Sequence, residues 1–106
     1  MKINVIRTIM TVLPEKQKEV FQTLRSLIDP PGKEKGCLYC SILCDIENSN
    51  IFNIISEWKT RRQLNSHMRS DRFRVLLGTK SLLSEPMKIQ IFTVSYSEGI
   101  CELSVP

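Results

Sequence analysis

The chain contains one histidine and one tryptophan, and both fall in a single stretch from Ser56 to Phe73, SEWKTRRQLNSHMRSDRF. Imidazole is the side chain best suited to moving a proton near neutral pH. Withdrawing it from water lowers its basicity, so a His67 held among apolar groups stays neutral and ready to accept a proton. Leu64, His67 and Met68 stand at i, i+3 and i+4, which puts all three on one helix face and turns the imidazole toward the core. The competing reading is a hydrogen-bonded core histidine, the ordinary state of a buried polar group. His67 by itself does not make an enzyme.

The elements that must position these residues follow from spacing. A strand ending in Glu57-Trp58 runs straight into a helix capped by Thr60, with Gln63 three residues on, the pattern of a capping box. Upstream, residues 2 to 12 carry Ile3, Val5 and Ile9 on one face and Ile6, Met10 and Val12 on the other, the pattern of a strand covered on both sides. Pro14 opens a helix whose Val20, Phe21, Leu24, Leu27 and Ile28 form one buried stripe, ended by Pro30-Pro31-Gly32. A strand from Cys37 to about Asp45 and another from Ile51 to Trp58 make a hairpin around Glu47-Asn48-Ser49-Asn50. Helical sequence runs from about Arg61 to Leu83 and breaks near Ser70-Asp71, where Asp71 is placed to cap a second piece that turns Phe73, Leu76 and Leu77 inward. Pro86 excludes further helix, and a last strand spans Lys88 to about Tyr96.

The order βαββαβ predicts an α+β, ferredoxin-like two-layer sandwich with both helical segments on one sheet face. Strands one to three also offer apolar side chains to the other face. Leaving six to eight of them wet, at about 1.5 to 3 kcal/mol each, is a heavy penalty beside a net stability of about 5 to 15 kcal/mol. A sheet-to-sheet homodimer removes it. The expected domain is residues 1 to 97. Residues 98 to 106 form a tail whose Ile100, Cys101, Leu103 and Val105 partly alternate, which fits either an edge strand added to a partner subunit or a loosely ordered end.

With 106 residues the chain has room for one domain. Hydrophobic content of 42% and charged content of 25% exclude a disordered polymer. Arg7 and Thr8 interrupt the first apolar run before a secretory h-region forms, and no window is long enough to span a membrane, so the expectation is a cytoplasmic protein. Four cysteines raise the question of a metal or disulfide framework. On an extended strand Cys37 points away from Cys40 and Cys44, and those two lie roughly 13 Å apart at about 3.3 Å per residue. That excludes a shared metal, and also a disulfide, which needs Cα atoms within about 7 Å. The net charge of +4 comes largely from Arg61, Arg62, Arg69, Arg72 and Arg74. With few aromatics among them and no recognised motif, they read as a solvated basic face rather than a nucleic-acid site, which leaves open the attraction of a small anion.

Several of these segments together resemble a known family. VIRTIMTVLPEKQKEVFQTLRSL, KEKGCLYCSIL, SEWKTRRQLNSHMRSDRF and LLSEPMKIQIFTVS are similar to the antibiotic biosynthesis monooxygenase domain over nearly the whole chain. The most specific marker is the spacing W-x5-L-x2-H of Trp58, Leu64 and His67, followed by Phe73. The resemblance implies a dimeric α+β barrel with a substrate pocket between each sheet and its own helices. It also implies oxidation of a quinol or phenolic aromatic by molecular oxygen without flavin, haem or metal. On that reading His67 is the catalytic base, Trp58 a wall and N–H donor, and Arg7 or Tyr39 a contact for a substrate anion or carbonyl. Leu64 and Phe73 complete the expected substrate-binding set. Quinol-oxidising relatives often carry a second histidine five residues after the first, where this chain has Arg72, which puts a two-histidine relay in doubt. A haem-degrading branch places its axial histidine where this chain has Leu77 and is disfavoured. The reading from a different class is a module of the same fold that binds or senses a small molecule without turnover.

Overall fold

A computed structural model describes residues 2–28, 34–95 and 99 of the chain. Strand β1 (Ile3–Thr11) leads through a short 3-10 turn at Pro14–Lys16 into helix α1 (Gln17–Ile28). Strands β2 (Cys37–Cys44) and β3 (Ile51–Trp58) form a hairpin, helices α2 (Arg61–Met68) and α3 (Asp71–Leu77) follow, and β4 (Lys88–Val94) closes the order. All pairings are antiparallel, in the order β2-β3-β1-β4. This is the α+β, ferredoxin-like sheet that the element order predicts, with β1 central and bonded on both sides. The 98–106 tail lies outside the described residues apart from Gly99.

Alternation along β1 divides the molecule. Asn4, Ile6, Thr8 and Met10 are buried beneath the helices, while Ile3, Val5, Arg7 and Ile9 face the other way and are partly exposed. Register carries this division across the sheet, since Asn4 pairs with Trp58, Ile6 with Ser56 and Met10 with Phe52. The core between the layers gathers Ile6, Met10, Val12, Phe52 and Trp58 from the strands and their ends, Val20 and Leu24 from α1, Leu64 from α2, and Phe73 and Leu76 from α3. The open face carries Val5, Ile9, Ile51, Ile55, Leu43, Tyr39 and Phe92 around a polar centre at Arg7. There the guanidinium donates from Nε to Asn53 Oδ1 at 2.7 Å and from Nη1 to Gln90 Oε1 at 3.5 Å.

Four local expectations change in the structure. Phe21 is 45% exposed and lies against Arg25, while Val20 and Leu24 are buried and Leu27 packs at the core's margin; the Ile28 side chain lies outside the described residues. Leu77 is 41% exposed at the last turn of α3, one position beyond the buried Leu76. Ser70, not Asp71, caps α3: its backbone is extended (φ −73°, ψ 158°), and its hydroxyl oxygen accepts the Phe73 N–H at 3.2 Å. Asp71 instead occupies the first turn, where its charge suits the helix dipole. Finally, a β-bulge between Cys37 and Tyr39 sets Cys37 opposite Trp58 and Cys40 opposite Ser56. The extra residue cancels the alternation, so both thiols face the helices. As predicted, Thr60 caps α2, accepting the Gln63 N–H at 3.1 Å.

The core assignment is tested by two substitutions on α1. Leu24→Ala, at a fully buried site, is expected to lower stability by about 2–5 kcal/mol. Phe21→Ala should stay within about 1 kcal/mol, because that ring already meets water. Urea unfolding distinguishes the two.

Candidate active site around His67

His67 sits near the C-terminal end of α2, over the sheet end where β3 stops. Its ring stacks on Trp58 (centroids 4.6 Å apart, planes at 27°) and meets the edge of Phe73 (5.3 Å, 76°). Its side chain is 18% exposed. One nitrogen is committed: Nδ1 lies 3.0 Å from Oε2 and 3.1 Å from Oε1 of Glu34. With its proton on Nδ1 the ring donates to the Glu34 carboxylate, and Nε2 is then the nitrogen that presents a lone pair. The dyad is therefore arranged as an oriented base.

Glu34 was absent from the sequence-based site, and its placement depends on a turn. The Cys37 N–H bonds the Glu34 carbonyl at 3.0 Å, closing a β-turn whose third residue, Gly36, has φ of 88°. Turns with that sign at the third position take glycine, which lacks the Cβ that makes positive φ unfavourable. The Gly36 carbonyl in turn accepts the Lys59 N–H at 2.9 Å, and a Cβ at Gly36 would run into the Gln63 side chain. The turn is thus fastened to the first residues of the α2 region, which holds the Glu34 carboxylate over the helix. A charged Lys-Glu-Lys ahead of a glycine is the one signal the chain offers for it, and spacing says nothing about where such a loop returns.

The structure brings together four of the six expected site residues. Trp58, His67 and Phe73 touch, and buried Leu64 lies on the same α2 face one turn earlier. The Trp58 N–H is already engaged, donating to Ser56 Oγ at 2.9 Å within the core. Arg7 and Tyr39 stand on the open face, with the sheet between them and His67.

Beside the aromatic group lie the two thiols turned inward by the bulge. Burial raises both, and Cys40 is pushed from its ordinary 9.0 up to about 11 by desolvation, with Cys37 and Glu34 adding electrostatic resistance to a second negative charge. Both stay protonated and inert at neutral pH.

A family model for antibiotic biosynthesis monooxygenase matches residues 3–77. The chain belongs to the antibiotic biosynthesis monooxygenase family. Solved structures agree with this assignment. A conserved protein from Methanosarcina mazei Go1 is 31% identical with a TM-score of 0.77, covering 87% of this chain and 91% of that one. Protein PA3566 from Pseudomonas aeruginosa is 26% identical with a TM-score of 0.75, over 87% of this chain and 93% of its own. A structure described as an antibiotic biosynthesis monooxygenase shares the fold at 22% identity, with a TM-score of 0.75 over 85% of this chain and 95% of that one. No curated protein matches the chain. Family membership makes monooxygenase the family-level function. Among the described residues no helix is long and apolar enough to cross a membrane.

The buried thiol gives a pH test. An unfolded cysteine ionises near 9.0, whereas folded Cys40 holds its proton to about 11. Its contribution to stability is therefore complete below pH 9 and is lost as pH rises through that interval. Urea unfolding across pH 8.5 to 11 is expected to show a decline that is shallower in Cys40→Ala than in the parent protein.

Proposed function

We propose that this member of the antibiotic biosynthesis monooxygenase family oxidises a phenolic or quinol-type aromatic with molecular oxygen, and that His67 is its general base. The observation that carries the reading is the Glu34–His67 pair, its imidazole stacked on Trp58 and edge-on to Phe73. Nε2 takes the phenolic proton, and the resulting phenolate is electron-rich enough to reduce oxygen. One oxygen atom ends as a ring carbonyl, so that a phenol C–H position becomes a quinone C=O, and the other leaves as water. The substrate supplies all the electrons, and the protein supplies a base held at a fixed angle beside aromatic surface.

Loss of a positioned base typically slows a reaction by 10²–10⁴-fold. Oxygen uptake with a panel of quinols should therefore fall at least about 100-fold in His67→Ala. Glu34→Gln, which keeps the shape and removes the charge, should fall less, because the imidazole keeps a hydrogen-bond partner. Equal rates in wild type and His67→Ala remove the imidazole from the mechanism. Ligand-induced thermal stabilisation with no oxygen consumed supports instead a binding or sensing module.

We further propose that the protein acts as a homodimer, open sheet face against open sheet face. Val5, Ile9, Ile55 and Phe92 supply the apolar contact, and Arg7 enters the interface already bonded to Asn53 and Gln90. This gives Arg7 and Tyr39 a role in assembly. Sedimentation at micromolar concentration should show a species of twice the chain mass that dissociates in Val5→Asp, and a compact single copy of the parent protein rejects this assembly.

A further inference from the structure

A concavity lies away from the imidazole. A groove of about 510 Å³ is lined by Lys2, Asn4, Lys59, Thr60, Arg61 and Thr93. It sits between the start of β1, the end of β4 and the β3–α2 junction. Half of its lining residues are cations and none is an acid. Among the described residues the ion pairs are Lys16–Glu19, His67–Glu34 and Arg74–Asp71, so none of the three groove cations is neutralised. Arg61 commits its Nε to Asn65 Oδ1 at 3.0 Å, which leaves its terminal nitrogens available.

Two further observations point to an anion. Asn4 is only 5% exposed and lines this groove. Its Oδ1 accepts from Thr93 Oγ1 at 3.4 Å, while its amide nitrogen has no partner among the described residues. The amide nitrogen is not itself sealed in the core, so on an otherwise buried side chain that lines the groove it offers a fixed donor to an acceptor bound there. The second is the charge on α2. Its first turn carries Arg61 and Arg62 with no acidic residue, although the N-terminal end of a helix dipole is positive and favours negative groups. Cations there repel the dipole and each other. A bound anion offsets that repulsion.

We propose that this groove binds a small molecule bearing a phosphate or carboxylate group, with Lys2, Lys59 and the Arg61 guanidinium contacting the oxyanion and the Asn4 amide fixing one acceptor atom. The two threonine hydroxyls, from Thr60 and Thr93, line the remaining walls. Arg61 suits this role because its planar N–H groups match two oxygens of one oxyanion at once. The site makes no use of His67 and stands or falls separately from the oxygenase chemistry.

The test is a titration of the full chain with inorganic phosphate, pyrophosphate and citrate, followed by thermal shift and calorimetry, with sodium chloride added to hold ionic strength constant. Saturable stabilisation is expected, by the phosphates if the ligand is a phosphate compound and by citrate if it is a carboxylate. Lys59→Gln should weaken binding several-fold, and Lys18→Gln, a charge removed from exposed α1, should leave it unchanged. Arg61→Glu is the decisive variant. It should raise the melting temperature of the ligand-free protein, since an acid suits that helix end, while abolishing the ligand-induced shift. A merely destabilised protein cannot produce that opposed pair of changes. An equal response to chloride alone, or unaltered binding by Arg61→Glu, overturns the proposal.

Discussion

The pleat of β1 is the constraint from which the rest of the molecule follows. As the central strand it is hydrogen-bonded on both sides, so its register with β3 and β4 is set twice over. A one-residue slip would exchange Ile6 and Met10 for Arg7 and Ile9 beneath the helices, placing a guanidinium in the core. That penalty locks Trp58 opposite Asn4 on the helix side. It also commits Arg7 and Tyr39 to the far side. Which side chains can ever meet in one site is decided by this parity before any loop is considered.

Built on that register, the site relies on aromatic surface to hold an imidazole and on a single carboxylate to orient it. Trp58 is itself fixed by its bond to Ser56, so the ring on which His67 stacks has little freedom to turn. Ser70 adds a second restraint, since its hydroxyl donates to the His67 carbonyl at 2.6 Å while its oxygen accepts from Phe73. The same residue therefore ends α2, begins α3 and sets the spacing between the two rings that touch. The cap and the site are one piece of local structure.

Much of this was legible in the chain because it depends on periodicity. The βαββαβ order, the extent of β3, the Thr60 cap and the inward position of His67 all follow from spacings of two or of three and four residues. What escaped has a different physical origin. The bulge at Cys37 adds one residue to a strand and reverses a thiol that strict alternation turns outward, and no composition signal announces it. Phe21 is apolar and follows the buried Val20 directly, yet its ring stays half exposed beneath Arg25. Arg7 and Tyr39 were grouped with His67 by family resemblance, which conveys residue types but not sheet faces. Glu34 is brought in by a loop, where position is determined by tertiary contacts and not by pattern.

The turn at Gly36 carries a consequence for proton chemistry. Its left-handed backbone is what lets the chain double back, and the carboxylate that selects the histidine tautomer hangs from that bend. The hydrogen-bond partner of a ring on one helix is thus placed by a torsion in a different part of the chain, at a residue with no side chain of its own. Reorienting the imidazole can therefore proceed by adjusting the bend of a loop, leaving Trp58 and Phe73 beside it untouched.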